Sequence, residues 1–525
     1  LKSWSEINSE YAYYSFRKAC NLDAHPNKKK FSKCFTNKKF FVKDLFPKLT
    51  KDKFYKIDLS VGSEWIGGRN EIENLDIFQF KIEKLQKDQN EKIIAGGYLE
   101  PRSIYTSDTY EKIGNYGTEN RTIHLGLDFW LPPGTEVSAM FDGEVVTAIN
   151  DQGHKEYGGL VILKHRIEDI EFYTLYGHNT VESVLKNKIG SRVKRGEIIA
   201  EIANYPENGN WAPHLHFQIM LSMLDHKIDF PGVCYFNQID VWEDLCPDPN
   251  LLFKSKDLDL DQSNSLQELI KHRKNHLGKS LKLHYEEPLH IIRGEGVYLM
   301  DSNGRKYLDT VNNVAHVGHE NESVVAKGKS QMSILNTNSR YLHKNINELS
   351  KELLKTLPSK LSVVHFVNSG SEANELAIRM MKSHTGESDI IVSEHGYHGN
   401  TNICVDISSY KFDGKGGNGA PENTHVIPIP NDFRGKYRGP NSGKKYAMEV
   451  EKCIKNIKSK KRGLGGFIIE PILSCGGQVE LPKGFLKDTY KLIRKNGGIC
   501  ISDEVQVGCG RLGKAFWGFE IHNVI

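Results

Sequence analysis

The chain is 525 residues long and 38% hydrophobic, enough for more than one core and, at ordinary domain lengths, for roughly three or four domains. Lys and Arg total 70 against 66 Asp and Glu, and the resulting charge of +4 is too thinly spread to predict nucleic-acid binding or attraction to a membrane. Nine cysteines, scattered from Cys20 to Cys509 with no C-x-x-C pair, predict reduced thiols in a cytoplasmic protein and no disulfide framework.

The opening LKSWSEINSEYAYYS has neither an initiator Met nor the apolar core of a secretory signal, and no apolar run reaches membrane-spanning length. Leu1 starts inside a helix-like pattern and Ile525 follows a motif that should continue, so the chain is expected to be clipped at both ends. Residues 1 to about 45 read as a helix followed by a Lys-rich loop (HPNKKKFSKCFTNKK), and 46–95 as a mixed, polar connector. The opening helix is similar in position and texture to the tail of an aminoglycoside-phosphotransferase-like kinase domain. It carries no phosphate loop or catalytic Asp motif, and a plain helical spacer is the alternative.

From residue 96 short alternating strands separated by Gly turns predict an antiparallel β domain: VSAMFDGEVVTAI, GGLVILKH, IEFYTLYGH and KRGEIIAEI. In HLGLDFW, His124 and Asp128 are four apart, so on a strand of period two they point to the same face. His214 and His216 of PHLHF project side by side for the same reason, and His178 closes LYGH. Two imidazoles and a carboxylate suit Zn²⁺ and leave a fourth position for a water whose pKa the metal lowers towards about 7. A lone H-x-H is as compatible with satisfied structural histidines. The ordered set H-x-x-x-D, Y-G-H and H-x-H over roughly 120 residues resembles the lysostaphin/LytM-type zinc metallopeptidases. That resemblance implies zinc on His124, Asp128 and His216, with His178 and His214 catalytic. Alternatively the fold persists as a scaffold whose site is idle or regulatory.

Residues 254–270 (KSKDLDLDQSNSLQELI) read as a linker between the β domain, 96–253, and a region from 271 onward that alternates strands with helical patterns in the manner of an α/β fold. An apolar strand, LSVVHFV, is expected to run into NSGSEANE and a helix. The N–H groups of Gly370 and Ser371, the Ser371 hydroxyl and the positive helix end suit a phosphate dianion, although Ser-Glu-Ala-Asn is also an ordinary helix cap. In GGICISDEVQVG a strand ends in Asp503, which could hold a pyridinium nitrogen protonated. Tyr397 could stack on one face of such a ring and Val505 on the other, and Gln506 could reach its phenolic oxygen. GLGGFIIEP ends at Glu470 on the same expected rim.

The ordered motifs YLDTVNNVAHVGH, LNTNSRYLH, NSGSEANE, EHGYHGNT, IIEPILSCGGQ and SDEVQVGCGRLGKAFWGFE resemble the class III aminotransferase family. The resemblance implies a fold-type I transferase over 271–525 that uses pyridoxal 5'-phosphate (PLP). Gly370, Ser371, Tyr397, Glu470, Asp503, Val505 and Gln506 would then line the coenzyme or its substrate pocket. It also implies a small-molecule amine substrate and a homodimer formed through this domain. LNTNSRYLH, ISSYKF, IPNDFRGKYRGP and SCGGQVELPKGF look more like ethanolamine-phosphate or phosphohydroxylysine phospho-lyases than ordinary transaminases. The family's coenzyme-holding lysine belongs to a segment after FEIHNVI, and Lys514 in GRLGKAFW does not occupy that motif. This stretch alone is therefore expected to be inactive as a PLP enzyme. The expected architecture is multidomain: an antiparallel β metallopeptidase-like domain followed by a truncated α/β PLP domain. The competing reading makes the zinc metalloendopeptidase the main activity and the PLP domain an accessory.

Overall fold

The computed structural model describes residues 9–105, 107–114, 117–260, 266–311 and 316–524. Its contacts separate two compact units, Leu1–Gln331 and Met332–Ile525.

The first unit is built on an eight-stranded sheet. Its strands are β1 (Phe54–Lys56), β2 (Ile93–Gly96), β3 (Leu127–Trp130), β4 (Gly143–Asp151), β5 (Gly158–Ile167), β6 (Ile170–Asn179), β7 (Arg192–Val193) and β8 (Leu215–Met220), in the order β1-β2-β3-β8-β6-β5-β4-β7. All neighbours are antiparallel except β1 and β2. The central strands are apolar on both faces, so both faces must be covered. Val161 and Leu163 of β5 pack with Phe129, Phe172 and Phe217, while Leu160 and Ile162 pack with Leu175, Met220 and Trp242 on the opposite side.

Two stretches differ from the sequence reading. Residues 46–95, read as a polar connector, supply β1 and β2, because FYK and IIAG pair along the edge of β3. The Lys-rich loop contains the helix Lys28–Cys34, which buries Phe31, and Phe35 follows it into the same core. Two fully buried phenylalanines contribute about 1.5–3 kcal/mol each, which outweighs the polarity of the lysines around them. The opening helix Ser9–Ala19 is anchored in this unit as well: Tyr14 joins the second cluster, and Lys18 Nζ stands 3.0 Å from the buried Asp244 carboxylate.

The compositional change near residue 271 and the division of contacts after Gln331 mark different boundaries. Between them, the strands Ile291–Glu295, Tyr298–Asp301 and Lys306–Leu308 form a small antiparallel sheet within the first unit. It is held there by Thr122 Oγ1 donating to Asn303 O at 2.7 Å and Arg293 Nη2 donating to Gly67 O at 2.6 Å. Of the expected linker, 261–265 lie outside the described residues; a 3₁₀ turn Lys256–Leu258 precedes them and the helix Leu266–His276 follows.

The second unit is a four-stranded, all-parallel sheet: β9 (Asp389–Ser393), β10 (Thr424–Ile427), β11 (Leu464–Ile469) and β12 (Ile499–Ser502), in the order β10-β9-β11-β12. Helix α1 (Gly370–Thr385) covers one face through Ile378 and Met381 against Ile390, Val392 and Ile468. Helices α2 (Ser442–Ser459) and α3 (Phe485–Lys495) cover the other through Val450, Ile454, Phe485 and Ile493 against Ile391, Phe467 and Ile469. This sandwich of helices on a parallel sheet matches the alternating pattern read from the sequence. LSVVHFV departs from it. Residues 361–367 adopt no strand, and Val363 and Phe366 are exposed, because apolar alternation makes a strand only where a neighbouring edge pairs with the backbone.

Candidate metal centre and coenzyme site

The metal centre is assembled from β3, β8, β6 and the short strand Ile123–His124. On β8, Leu215, Phe217 and Ile219 point into the first core, so His214, His216 and Gln218 must project from the opposite face. The register sets His216 opposite Asp128 on one side and opposite Gly177 on the other. His178 follows Gly177 at an irregularity in the β6–β5 pairing and adopts φ +67°, which aims its ring differently from a regular strand residue.

His124 and Asp128 do converge, but not along one continuous strand. His124 ends a short strand paired with Val233, the chain bends at Leu125–Gly126, and Asp128 lies on β3. The bend requires glycine: a Cβ on Gly126 would stand 2.7 Å from Phe217 O and 2.8 Å from the His216 ring. The ring occupies the space that a side chain would need.

His124 Nε2 and His216 Nδ1 are 2.9 Å apart, and each is 3.2 Å from Asp128 Oδ1. All three residues are buried, and their donor atoms lie within 4.8 Å of one another. The other ring nitrogen of each histidine is committed. His124 Nδ1–H donates to Gly97 O at 2.9 Å, and His216 Nε2–H donates to Gln218 Oε1 at 2.9 Å. The Gln218 amide is oriented in turn by Nε2 donating to Pro231 O at 3.2 Å. With both N–H bonds used, two imidazole lone pairs and a carboxylate oxygen face one another with no proton between them. Ligands about 2.0–2.1 Å from a tetrahedral Zn²⁺ stand about 3.3 Å apart, so a cation of that kind fits these three atoms and removes their repulsion.

Electrostatics point the same way. Burial, reinforced by Arg102, pushes His124 down to about 3, so its ring is neutral and able to coordinate. Burial works against the Asp128 charge, yet the cationic Arg102 beside it holds its carboxyl well below the usual range. Arg102 Nη1 donates to Asp128 Oδ2 at 2.6 Å and Nε to Glu100 Oε2 at 2.7 Å, fixing the carboxylate with Oδ1 turned towards the histidines.

His178 and His214 stand beside this triad, their rings 4.4 Å apart. His178 Nδ1–H donates to Asn208 O at 2.9 Å and His214 Nδ1–H to Ala212 O at 2.7 Å, so each presents an unprotonated Nε2. Burial lowers both below the ordinary histidine range. His214 Nε2 is 3.7 Å from Asp128 Oδ1, and its ring stacks on Trp130. A cavity of about 210 Å³ opens onto all five residues.

In the second unit the residues singled out from the sequence collect at the carboxyl ends of the parallel strands, where open α/β sheets bind ligands. Asp503 follows β12 and is buried, Glu470 follows β11 and is buried, and Tyr397 lies in the turn after β9. Asp503 Oδ2 accepts from His398 Nδ1 at 2.7 Å and from Asn374 Nδ2 at 2.8 Å. Although burial opposes its charge, the His398 contact keeps the carboxyl low.

Gly370 and Ser371 open α1, whose cap Ser369 Oγ is occupied by Glu372 N at 3.1 Å. Ser371 Oγ accepts from Asn400 N at 3.1 Å. A Cβ on Gly370 would come within 2.6 Å of Val505, so helix mouth and Val505 are in close contact. Asn374 lies four residues further along, about 6 Å up the axis, and touches Asp503. Asn374 thus ties the acid to the helix that Gly370 and Ser371 open, and a helix mouth with a buried carboxylate is a donor set that suits PLP. Gln506 lies in the turn after Val505, and the Tyr397 ring packs edge-on against Tyr410 at 5.8 Å. Burial, with Asp503 nearby, raises Glu470 to about 7, and its Oε2 is buried without a partner. His398 Nε2 is likewise unpartnered.

Sequence reading missed Arg102, Glu100, Gln218, Asn374 and His398. Gln218 was legible as the next same-face position of H-x-H-x-Q, and Asn374 lies on the Asp503 side of a helix already expected. Arg102 and Glu100 come from a loop with no pattern to mark them.

Comparison with known proteins separates the metal centre from the coenzyme site. Residues 282–524 match the family model Aminotransferase class-III, and residues 122–229 match Peptidase family M23. The chain thus carries one segment similar to class III aminotransferases, a family that uses PLP, and one similar to M23 peptidases, a family that uses zinc. Among individual proteins, it is 42% identical over 281 residues to an alanine–glyoxylate aminotransferase 2-like protein of Drosophila melanogaster, covering 52% of this chain and 57% of that one. It is 36% identical over 271 residues to ethanolamine-phosphate phospho-lyase homolog 1 of Caenorhabditis elegans, covering 49% and 58%. A solved phospholyase from Arthrobacter in complex with phosphoethanolamine is 33% identical over 49% of this chain and 60% of that chain, with a TM-score of 0.46. The chain thus spans a little over half the length of these relatives. Both family matches start after residue 121, so the likeness of the opening helix to a kinase tail gains no support from them. No helix among the described residues is long and apolar enough to cross a membrane.

Proposed function

We propose that this protein is a two-site enzyme, with a PLP-dependent phospho-lyase-type site acting on a phosphorylated amino alcohol and a zinc peptidase site. The observation that carries the first reading is the buried Asp503 carboxylate, pinned by His398 and Asn374 one helical turn from the mouth of α1. PLP, when bound, supplies an electron sink. The chain's own part is to hold the ring nitrogen's proton at Asp503, to receive the phosphate arm at Gly370 and Ser371, and to keep water from the rim. Glu470, raised to about 7, can give or take a proton there. Lyase is preferred to transaminase on the strength of ISSYKF, IPNDFRGKYRGP and SCGGQVELPKGF, and the likeness to the phospho-lyase homolog of Caenorhabditis elegans supports the choice. A small-molecule amine substrate, a homodimer formed through this unit and a cytoplasmic location belong to the same proposal.

The second site rests on the three converging lone pairs of His124, His216 and Asp128. Zinc, when bound, supplies an electrophile for an amide carbonyl. His178 and His214, both neutral with Nε2 free, are set to take and return a proton.

Retention of PLP by ultrafiltration tests the first site. One equivalent should be held, Asp503→Asn should weaken retention at least tenfold, and no retention by the unaltered chain would refute the assignment. With the coenzyme lysine present, phosphate released from phosphoethanolamine without a keto acid supports the lyase; keto-acid-dependent turnover contradicts it.

A further inference from the structure

We infer that Lys155 is a carboxylate-binding subsite of the zinc cavity, so that the peptidase site takes a short peptide by its free C-terminus rather than an internal segment of a longer chain. The inference rests on the zinc-peptidase reading and names its substrate class.

Lys155 is only 7% exposed, and among the described residues no carboxylate lies within ion-pair distance of its ammonium. A lysine this buried is ordinarily paired, because an uncompensated charge in the interior is costly. Here Nζ has one hydrogen bond, to Asn210 O at 3.1 Å, and lies 3.8 Å from the centre of the Trp211 ring. The indole face attracts the cation but does not neutralise it, and two of its three N–H donors remain for a ligand. The backbone is fixed on both sides: Lys155 N donates to Gly209 O at 2.8 Å, and Tyr110 Oη donates to Lys155 O at 2.5 Å. The side chain therefore starts from a rigid point.

Its position gives the cation a use. Lys155 lines the same cavity as His124, Asp128, His178, His214 and His216, and it also lines an outer pocket with Ile72, Glu73, Leu75, Ile104 and His154. Lys155 and Ile104 line both. The acids that share the metal cavity are otherwise engaged: Asp128 with Arg102, and Asp229 with His226 at 3.7 Å, while burial pushes Glu156 towards its neutral form. At about 210 Å³ the cavity falls below the usual lower bound of about 300 Å³ for drug-sized ligands. A group of two residues suits it better than a continuous peptide strand. A carboxylate on Lys155 would hold the peptide's end inside the cavity that the triad, His178 and His214 also line.

The test uses the whole chain and two probes, N-acetylglycylglycine and its carboxamide. Titration calorimetry on the metal-free chain measures binding without turnover. The acid should bind at least tenfold more tightly than the amide. Lys155→Met should abolish that preference and Lys155→Arg should keep most of it, while zinc content stays at one per chain in both. Equal affinity for acid and amide, binding of neither, or a preference that survives Lys155→Met would overturn the subsite. Should Lys155→Met fail to fold, the comparison of acid with amide on the unaltered chain and on Lys155→Arg still decides. A chain that holds no zinc would sink the peptidase reading itself; zinc held without discrimination between the probes would sink only the role of Lys155.

Discussion

Replacing Arg102 by Met should destabilise the first unit by about 3–5 kcal/mol in the absence of metal. The side chain is 2% exposed and holds two carboxylates on one guanidinium, Asp128 at 2.6 Å and Glu100 at 2.7 Å. Methionine fills much of the volume but leaves two buried acids without a counter-charge, the situation in which loss of one partner is most costly. Zinc would bring positive charge against Asp128 Oδ1, so the deficit should narrow in the zinc-loaded chain. Urea unfolding followed by tryptophan fluorescence reads this unit selectively, because among the described residues Trp65, Trp130, Trp211 and Trp242 belong to it and only Trp517 to the other. With a slope of about 2–3 kcal/mol per molar, the midpoint should fall by roughly 1–2.5 M in chelator. A midpoint unchanged in chelator, or a deficit as large with zinc as without, would show that Arg102 does not compensate the metal-site acid.

Gln218→Ala removes the acceptor that fixes the His216 tautomer and should weaken zinc binding by about 10–100-fold with the fold intact, measured by competition with a chromogenic chelator. In the second unit, Glu470 is raised from an ordinary 4.5 to about 7, so the folded state holds its proton through a window in which the unfolded chain has released it. Stability of the coenzyme-free unit should therefore fall as pH rises from about 4.5 to 7. Glu470→Gln should flatten that slope and add about 3 kcal/mol at pH 8, read by thermal unfolding with circular dichroism; parallel slopes in the two proteins would contradict it.

Where the pattern was local, the sequence was a sound guide. H-x-H on an apolar strand needs only period two to put His214 and His216 on one face, and the strand-then-acid endings at Glu470 and Asp503 need only a parallel sheet to reach one rim. The reading failed where a segment's state depends on a distant partner. FYK and IIAG look like connector until β3 offers them an edge, and LSVVHFV looks like strand until no edge meets it.

The sequence by itself determined which chemistries are represented in this chain: nitrogen and carboxylate ligands for a cation, and a helix mouth with a strand-end acid for a phosphate-bearing ring. Only the tertiary structure decided how those groups are charged and held. The tautomers of His124 and His216 depend on Gly97 O and Gln218. The Asp128 carboxylate depends on an arginine from an unpatterned loop, and Asp503 on His398 from another strand end. Protonation and orientation are set by what each group is buried against, and burial is a property of three dimensions.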